Sequence, residues 1–221
     1  ATLNGNLTSM GSSTPVNVYF EWGQTTSYGN LTTAQPRTST GNFSALLTGL
    51  SPGTTYHFRA WAVGNDSAVG ADMVFTTLSI PPTVTTTGSS NVTTNSATLY
   101  GNLTSLGTAS QVTVSFQYAT DAYYTSNGNT YNSETTPQYM TATGPYSSLA
   151  QSLLPGTTYH FRAKAVGNGT AYGADMIFTT LTTPPTVVTL GATNVMLNSA
   201  TLNGNLTSLG TAASGNVSFQ W

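Results

Sequence analysis

Apolar and polar residues alternate with a period of two through much of this chain. In Val16-Asn-Val-Tyr-Phe-Glu-Trp22 the residues Val16, Val18, Phe20 and Trp22 fall on one face and Asn17, Tyr19 and Glu21 on the other. That is the pattern of a strand half buried in a sheet. Val112, Val114, Phe116 and Tyr118 alternate with Thr113, Ser115 and Gln117 in the same way, and Tyr56, Phe58, Ala60 and Ala62 with His57, Arg59, Trp61 and Val63. Successive strand side chains point to opposite sides, so each run predicts one core face and one outward face. No stretch carries the period of an amphipathic helix. Turn signals at Asn4-Gly5, Pro52-Gly53, Asn127-Gly128, Pro155-Gly156 and Asn168-Gly169 divide the chain into short strands. The expectation is an all-β protein built of sandwiches, about seven strands in roughly 100 residues.

The strands recur as copies of one unit. Pro52-Gly-Thr-Thr-Tyr-His-Phe-Arg-Ala-Trp61 returns as Pro155-Gly-Thr-Thr-Tyr-His-Phe-Arg-Ala-Lys164. Ala1-Thr-Leu-Asn-Gly-Asn-Leu-Thr-Ser9 returns at Ala97 and at Ala200, giving spacings of 96 and 103 residues, the size of one small domain. The pairs Pro81-Pro82 and Pro184-Pro185 cannot continue a sheet ladder and mark short, stiff junctions. The expected modules are 1–78, 79–181 and 182–221. The second carries a seven-residue, Tyr-rich insertion between Tyr118 and Gly144.

The string Leu50-Ser-Pro-Gly-Thr-Thr-Tyr56-His-Phe-Arg-Ala, with its copy around Tyr159, resembles the corner between the fifth and sixth strands of a fibronectin type III domain. The resemblance implies tandem immunoglobulin-like β-sandwiches in which Tyr56 and Tyr159 lead the sixth strand and bond back to the corner through their hydroxyls. The tryptophan usual on the family's second strand is missing, with Asn4, Tyr100 and Asn203 in its neighbourhood; aromatic bulk lies instead on the third strand at Trp22, Tyr118 and Trp221. The core is therefore expected to be repacked, nearer to prokaryotic surface variants than to animal ones. Against that framework residues 1–22 align with 200–221 at 14 identical positions, so this window is expected to begin and end within a module. Residues 1–78 are expected to lack the first strand, and 182–221 to hold the first three. Two explanations stand: a window on a longer array, or donation of Thr183–Leu190 of one chain to the next, which would build a fibre.

Composition changes the functional picture. Charged residues are 5% of the chain against about 25% in ordinary soluble domains, and four Lys plus Arg with net charge −2 cannot track a nucleic-acid backbone. No apolar run is long enough for a spanning helix in this window. With no cysteine, disulfides and thiolate metal sites are excluded. Sugar is the expected hydrating agent: Asn-x-Ser/Thr triplets occur at Asn6, Asn30, Asn42, Asn65, Asn91, Asn102, Asn168, Asn205 and Asn216. A chain rich in Asn, Ser and Thr also produces such triplets by chance. Asn6, Asn102 and Asn205 share one column of the repeat and are the preferred sites.

No catalytic set is legible. His57 and His160 are the only histidines and occupy one outward column beside Arg59 and Arg162, where a cross-strand structural role is favoured. Asp72 and Asp175 stand in matching Gly-Ala-Asp-Met strings, too few carboxylates for calcium. No cofactor and no metal site is expected. Two surfaces remain as candidates for contact: the outward stripe of Tyr19, His57, Arg59 and Trp61, and the insertion with Tyr123, Tyr124, Tyr131 and Tyr139. Each reads either as packing within its own module or as a docking surface, and the insertion is expected to dock a neighbouring subunit or glycan. The expectation for the whole is a non-enzymatic, extracellular or cell-surface repeat protein of a filament, sheath or stalk, its partners being copies of itself, neighbouring modules and covalent glycans. The alternative is a spacer array or carbohydrate-binding module of a secreted polysaccharide-degrading enzyme.

Overall fold

The computed structural model describes all 221 residues and is almost entirely β. Residues Ala1–Ile80 form one compact unit and Pro81–Trp221 a second.

In the first unit, β1 (Thr2–Leu7), β2 (Val16–Gly23), β3 (Asn30–Leu31), β4 (Gln35–Arg37), β5 (Gly41–Leu46), β6 (Thr55–Val63), β7 (Ser67–Val69) and β8 (Met73–Thr76) make two sheets. β1 pairs antiparallel with β5. β2 and β6 form the centre of the other sheet, flanked by β3 and β4 on one side and β7 and β8 on the other. The alternation produces the core: Leu3 and Leu7, Val16, Val18 and Phe20, Phe43, Leu47 and Tyr56 are all buried.

The second unit begins with β9 (Thr83–Ser90), β10 (Ser96–Ser105) and β11 (Val112–Thr120), followed by α1 (Asp121–Ser126). It continues with β12 (Ser133–Glu134), β13 (Gln138–Met140), β14 (Gly144–Gln151), β15 (Thr158–Gly167), β16 (Gly169–Tyr172) and β17 (Met176–Thr179). β14-β10-β9 face a sheet in which β11 and β15 are central, with β12 and β13 beside β11 and β16 and β17 beside β15. This is the strand order of a fibronectin type III sandwich. β9 carries a bulge opposite Tyr100 and Gly101. Beside the bulge, the Thr86 hydroxyl accepts from the Ala163 amide at 2.9 Å, which ties the outermost strand of one sheet to the centre of the other. Phe116, Phe161, Leu99, Leu103, Val112 and Val114 are fully enclosed, each worth about 1.5–3 kcal/mol of burial.

The repeated glycine of the Leu-x-Gly-Asn-Leu string has a packing cause. Gly101 pairs with Tyr146, and a Cβ there would stand 3.0 Å from Tyr146 Cζ and 3.1 Å from the Thr85 carbonyl oxygen. At Gly5 the equivalent clash would be with Phe43 Cζ at 2.6 Å. The ring occupies the space that a side chain would need.

Two expectations are corrected. The insertion contains a helix, α1, whose six residues are too few to register as a period; the Thr120 hydroxyl caps it by accepting from the Tyr123 amide at 3.2 Å. In 182–221 only two strands form, β18 (Thr186–Thr193) and β19 (Thr201–Ser208), paired with each other. The alternating Val217–Trp221 segment is not a strand. Its counterparts β2 and β11 are held by β6 and β15, and 182–221 contains no equivalent of those partners. No helix is long and apolar enough to cross a membrane.

Candidate functional site

The polar faces of β2-β6 and β11-β15 carry Glu21, His57, Arg59, His160, Arg162 and Lys164, and each unit arranges its groups around one motif. In the first unit antiparallel register sets Glu21 opposite Arg59, Tyr19 opposite Trp61 and Gly23 opposite His57. Arg59 Nε and Trp61 Nε1 both donate to Glu21 Oε2 at 2.9 Å. The Trp61 bond first, and the Arg59 bond next, hold the Glu21 carboxyl below the usual range. Tyr19 lies parallel to Trp61, ring centroids 6.3 Å apart at 8°.

A second set hangs from the connection after β2. The Arg59 guanidinium sits 4.5 Å over the Tyr28 ring. The Tyr28 hydroxyl donates to Asp72 Oδ1 at 2.9 Å, and Asp72 Oδ2 lies 2.8 Å from His57 Nδ1. The His57 bond, reinforced by Tyr28, keeps the Asp72 carboxyl below its ordinary value, while burial and then the Asp72 bond push the Tyr28 phenol up.

The second unit rebuilds the same clasp. The Tyr131 hydroxyl donates to Asp175 Oδ1 at 2.7 Å, His160 Nδ1 lies 2.7 Å from Asp175 Oδ2, and Arg162 sits 4.5 Å over the Tyr131 ring. Arg162 also stacks 3.8 Å from the Tyr172 centroid and donates twice to Gln117 Oε1, at 3.1 and 2.9 Å. Where the first unit has Tyr19 and Trp61, the second has Ser115 and Lys164, both held by Glu134: Ser115 Oγ donates at 2.6 Å and Lys164 Nζ at 2.9 Å. Burial opposes the ionised Glu134, but the Ser115 and Lys164 bonds outweigh it and lower its pKa. Ser115, outward by alternation, is buried beneath this pair.

Helix α1 adds groups with no counterpart in the first unit. Tyr124 stacks on His160 at 4.0 Å and 7° and meets the Tyr131 ring at 5.2 Å. Asp121 Oδ1 lies 3.1 Å from His160 Nε2. Tyr124 and Tyr131 pack on their own sandwich, where the insertion folds over the imidazole. Tyr123 is half-buried, and Tyr139, opposite Thr113 on an edge strand, is exposed.

Sequence reasoning missed Tyr28. The signal was an equal spacing, Tyr28 to Asp72 and Tyr131 to Asp175, 44 residues in each case, which places the whole insertion between Tyr118 and Tyr131. The corner implied by the family resemblance has the geometry of a latch: the Tyr56 hydroxyl accepts from the Ser51 amide at 3.0 Å and that of Tyr159 from Leu154 at 2.9 Å.

Of the sequon asparagines, Asn6, Asn30, Asn42, Asn65, Asn91, Asn168, Asn205 and Asn216 are exposed and Asn102 is half-buried, flanked by Pro145 and Thr85 on the neighbouring strands. The amide nitrogen of Asn168 donates to Thr108 Oγ1 at 2.8 Å. No cluster of three or more His, Cys, Asp or Glu side chains is arranged to hold a metal ion. A depression of about 520 Å³ along β1 and β5 is lined by Asn4, Gly5, Asn6, Asn42, Phe43 and Ser44, none of them titratable.

No protein-family model and no curated protein sequence matches the chain. Among solved structures it is similar to the sensor domain of the anti-sigma factor RsgI4 in Pseudobacteroides cellulosolvens, at 19% identity and a TM-score of 0.38 over 46% of this chain and 95% of that one. It is also similar to the FN1–FN3 domains of chicken CNTN1, at 12% identity and a TM-score of 0.37 over 76% of this chain and 57% of that one. The assignment of the fold stands on the strand order and the tyrosine latch described above.

Proposed function

We propose that the chain is a non-enzymatic structural repeat of an extracellular filament, sheath or stalk, its modules bearing glycans and associating with neighbouring modules or further copies. The observation that carries this reading is the reuse of one internally satisfied clasp. Each Asp-His pair is closed by a tyrosine, Arg59 and Arg162 are each capped by an aromatic ring and a side-chain oxygen, and the Tyr, Asp, His and Arg take the same places in both units. A general base must keep a lone pair directed at a reacting atom beside a nucleophile. An aspartate on Nδ1 leaves Nε2 as the nitrogen able to act as a base. At His160 that nitrogen faces Asp121, and no hydroxyl is hydrogen-bonded to either ring, which supports reading the duplicated set as pinning a connection onto a sheet.

The exposed Asn-x-Ser/Thr sites and the scarcity of charge support glycan as the hydrating layer. Imaging the native assembly, with the intact mass of the purified polypeptide, tests both parts. Ordered polymers with a repeat near one sandwich, and a mass exceeding that of the polypeptide by sugar increments, are the expected results. Native material that is wholly monomeric and joined to a polysaccharide hydrolase would overturn the filament reading in favour of a spacer array.

A further inference from the structure

His160 is the one imidazole in the chain with a carboxylate at both ring nitrogens. Asp175 Oδ2 lies 2.7 Å from Nδ1 and Asp121 Oδ1 lies 3.1 Å from Nε2. A neutral imidazole carries a single N–H, so it satisfies one of these acceptors and turns a lone pair toward the other; only the doubly protonated ring satisfies both. The two carboxylates are unequal. Asp175 is also held by the Tyr131 hydroxyl at 2.7 Å and is the less exposed, at 30% against 57% for Asp121. When one proton leaves, the remaining one stays on Nδ1 with Asp175, and the repulsion falls on Asp121, the first residue of α1. We propose that Asp121, His160 and Asp175 form a protonation-dependent clasp that holds α1 against the sheet when the ring carries both protons and loosens it when one is lost.

The groups packed around the ring are consistent with this. From α1 come Asp121 and the Tyr124 ring, stacked at 4.0 Å; from the connection before β17 comes Asp175; Tyr131 reaches the ring through Asp175 and Tyr124; and Arg162 lies on β15 itself, drawn away toward Gln117 and Tyr172. Across the sheet His160 faces Ala119 and Ile177, which do not titrate. Burial by itself would lower the His160 pKa, but the bonds to Asp175 and Asp121 outweigh it and raise it. Apart from the Thr120 cap and the Tyr124 ring on His160 and Tyr131, nothing anchors α1 through burial: none of its residues is buried. In the first unit His57 has its aspartate but no helix, so the device belongs to the insertion.

The test is NMR of the intact chain, following the His160 ring and the protection factor of the Asn127 amide, which closes α1 by donating to the Tyr123 carbonyl at 3.0 Å. As pH rises through the His160 midpoint, Asn127 protection is expected to fall roughly three- to fivefold, the scale of a partly exposed ion pair. Asp121→Asn is expected to move that midpoint down and remove the step, and His160→Gln to leave protection independent of pH. Equal protection on both sides of the midpoint, a step surviving in Asp121→Asn, or a step surviving in His160→Gln would each overturn the proposal.

Discussion

Replacing Tyr159 by Phe removes one oxygen from the corner between β14 and β15 and leaves the ring in place. That ring is 5% exposed and stacks on Phe178 at 5.5 Å and 11°, contacts a phenylalanine retains. The loss is the bond from the Leu154 amide, at 2.9 Å. An amide left without its partner costs about 1–3 kcal/mol when buried. Leu154 itself is 59% exposed, so water recovers part of this, and about 1–2 kcal/mol is expected. For a domain near 100 residues, each kcal/mol shifts Tm by roughly 4–8 °C, so Tyr159→Phe should lower the transition of the second unit by roughly 4–16 °C. Urea unfolding of the intact chain, with Tyr56→Phe as the matched change in the first unit, measures it directly. The urea midpoint should fall with the m-value unchanged. Tyr159→Leu, which also removes the stack, should cost clearly more. If Tyr159→Phe changes stability by less than about 0.3 kcal/mol, water satisfies Leu154 fully and the latch assigned to this hydroxyl is wrong.

Further outcomes can be checked in the same chain. Gly101→Ala should destabilise the second unit by about 1–3 kcal/mol, because the new methyl meets both Tyr146 and the Thr85 carbonyl; urea unfolding measures it, and an unchanged midpoint would show that the strand yields freely. Phe161→Ala removes a fully enclosed ring between Phe116 and Phe178 and should cost about 3–5 kcal/mol by calorimetry. Asp72 has a folded pKa below its unfolded value near 3.9, so its contribution is present above that pH and is lost as pH falls through the folded value. Thermal melts between about pH 5 and 2 should therefore show an acid-dependent loss in the first unit that Asp72→Asn abolishes. His160 has the opposite sign: its contribution is complete below about pH 6.5 and declines as pH rises through the higher folded value, which melts from pH 6 to 9 can follow.

Some of this molecule was legible without a structure. Alternation along Val16–Trp22 and Val112–Tyr118 named the core faces, and Phe20 and Phe116 lie at the centres of two sandwiches because a strand side chain's direction depends only on its parity. The Glu21–Arg59 contact could also be anticipated once β2 and β6 were taken as neighbours, since register carries one residue to its partner. The exposed column of Asn6 and Asn205 follows from the same parity, whereas Asn102, in that column, is half-buried between strands on both sides.

What pattern alone did not reach is the clasp. Tyr28 and Asp72 are 44 residues apart and His57 and Asp72 are 15 apart, separations that no helix or strand period encodes. The helix in the insertion was missed because six residues give no period, and its placement was not legible because a tyrosine-rich polar loop reads alike whether it faces a partner or its own sheet. Sequence by itself determined the repeat, the strands and their buried faces, since these depend on neighbours along the chain and on parity. Only the tertiary structure decided that Tyr131, Tyr124 and Asp121 close over His160, because that outcome depends on how a connection drapes across a finished sheet and on which polar groups there still lack a partner.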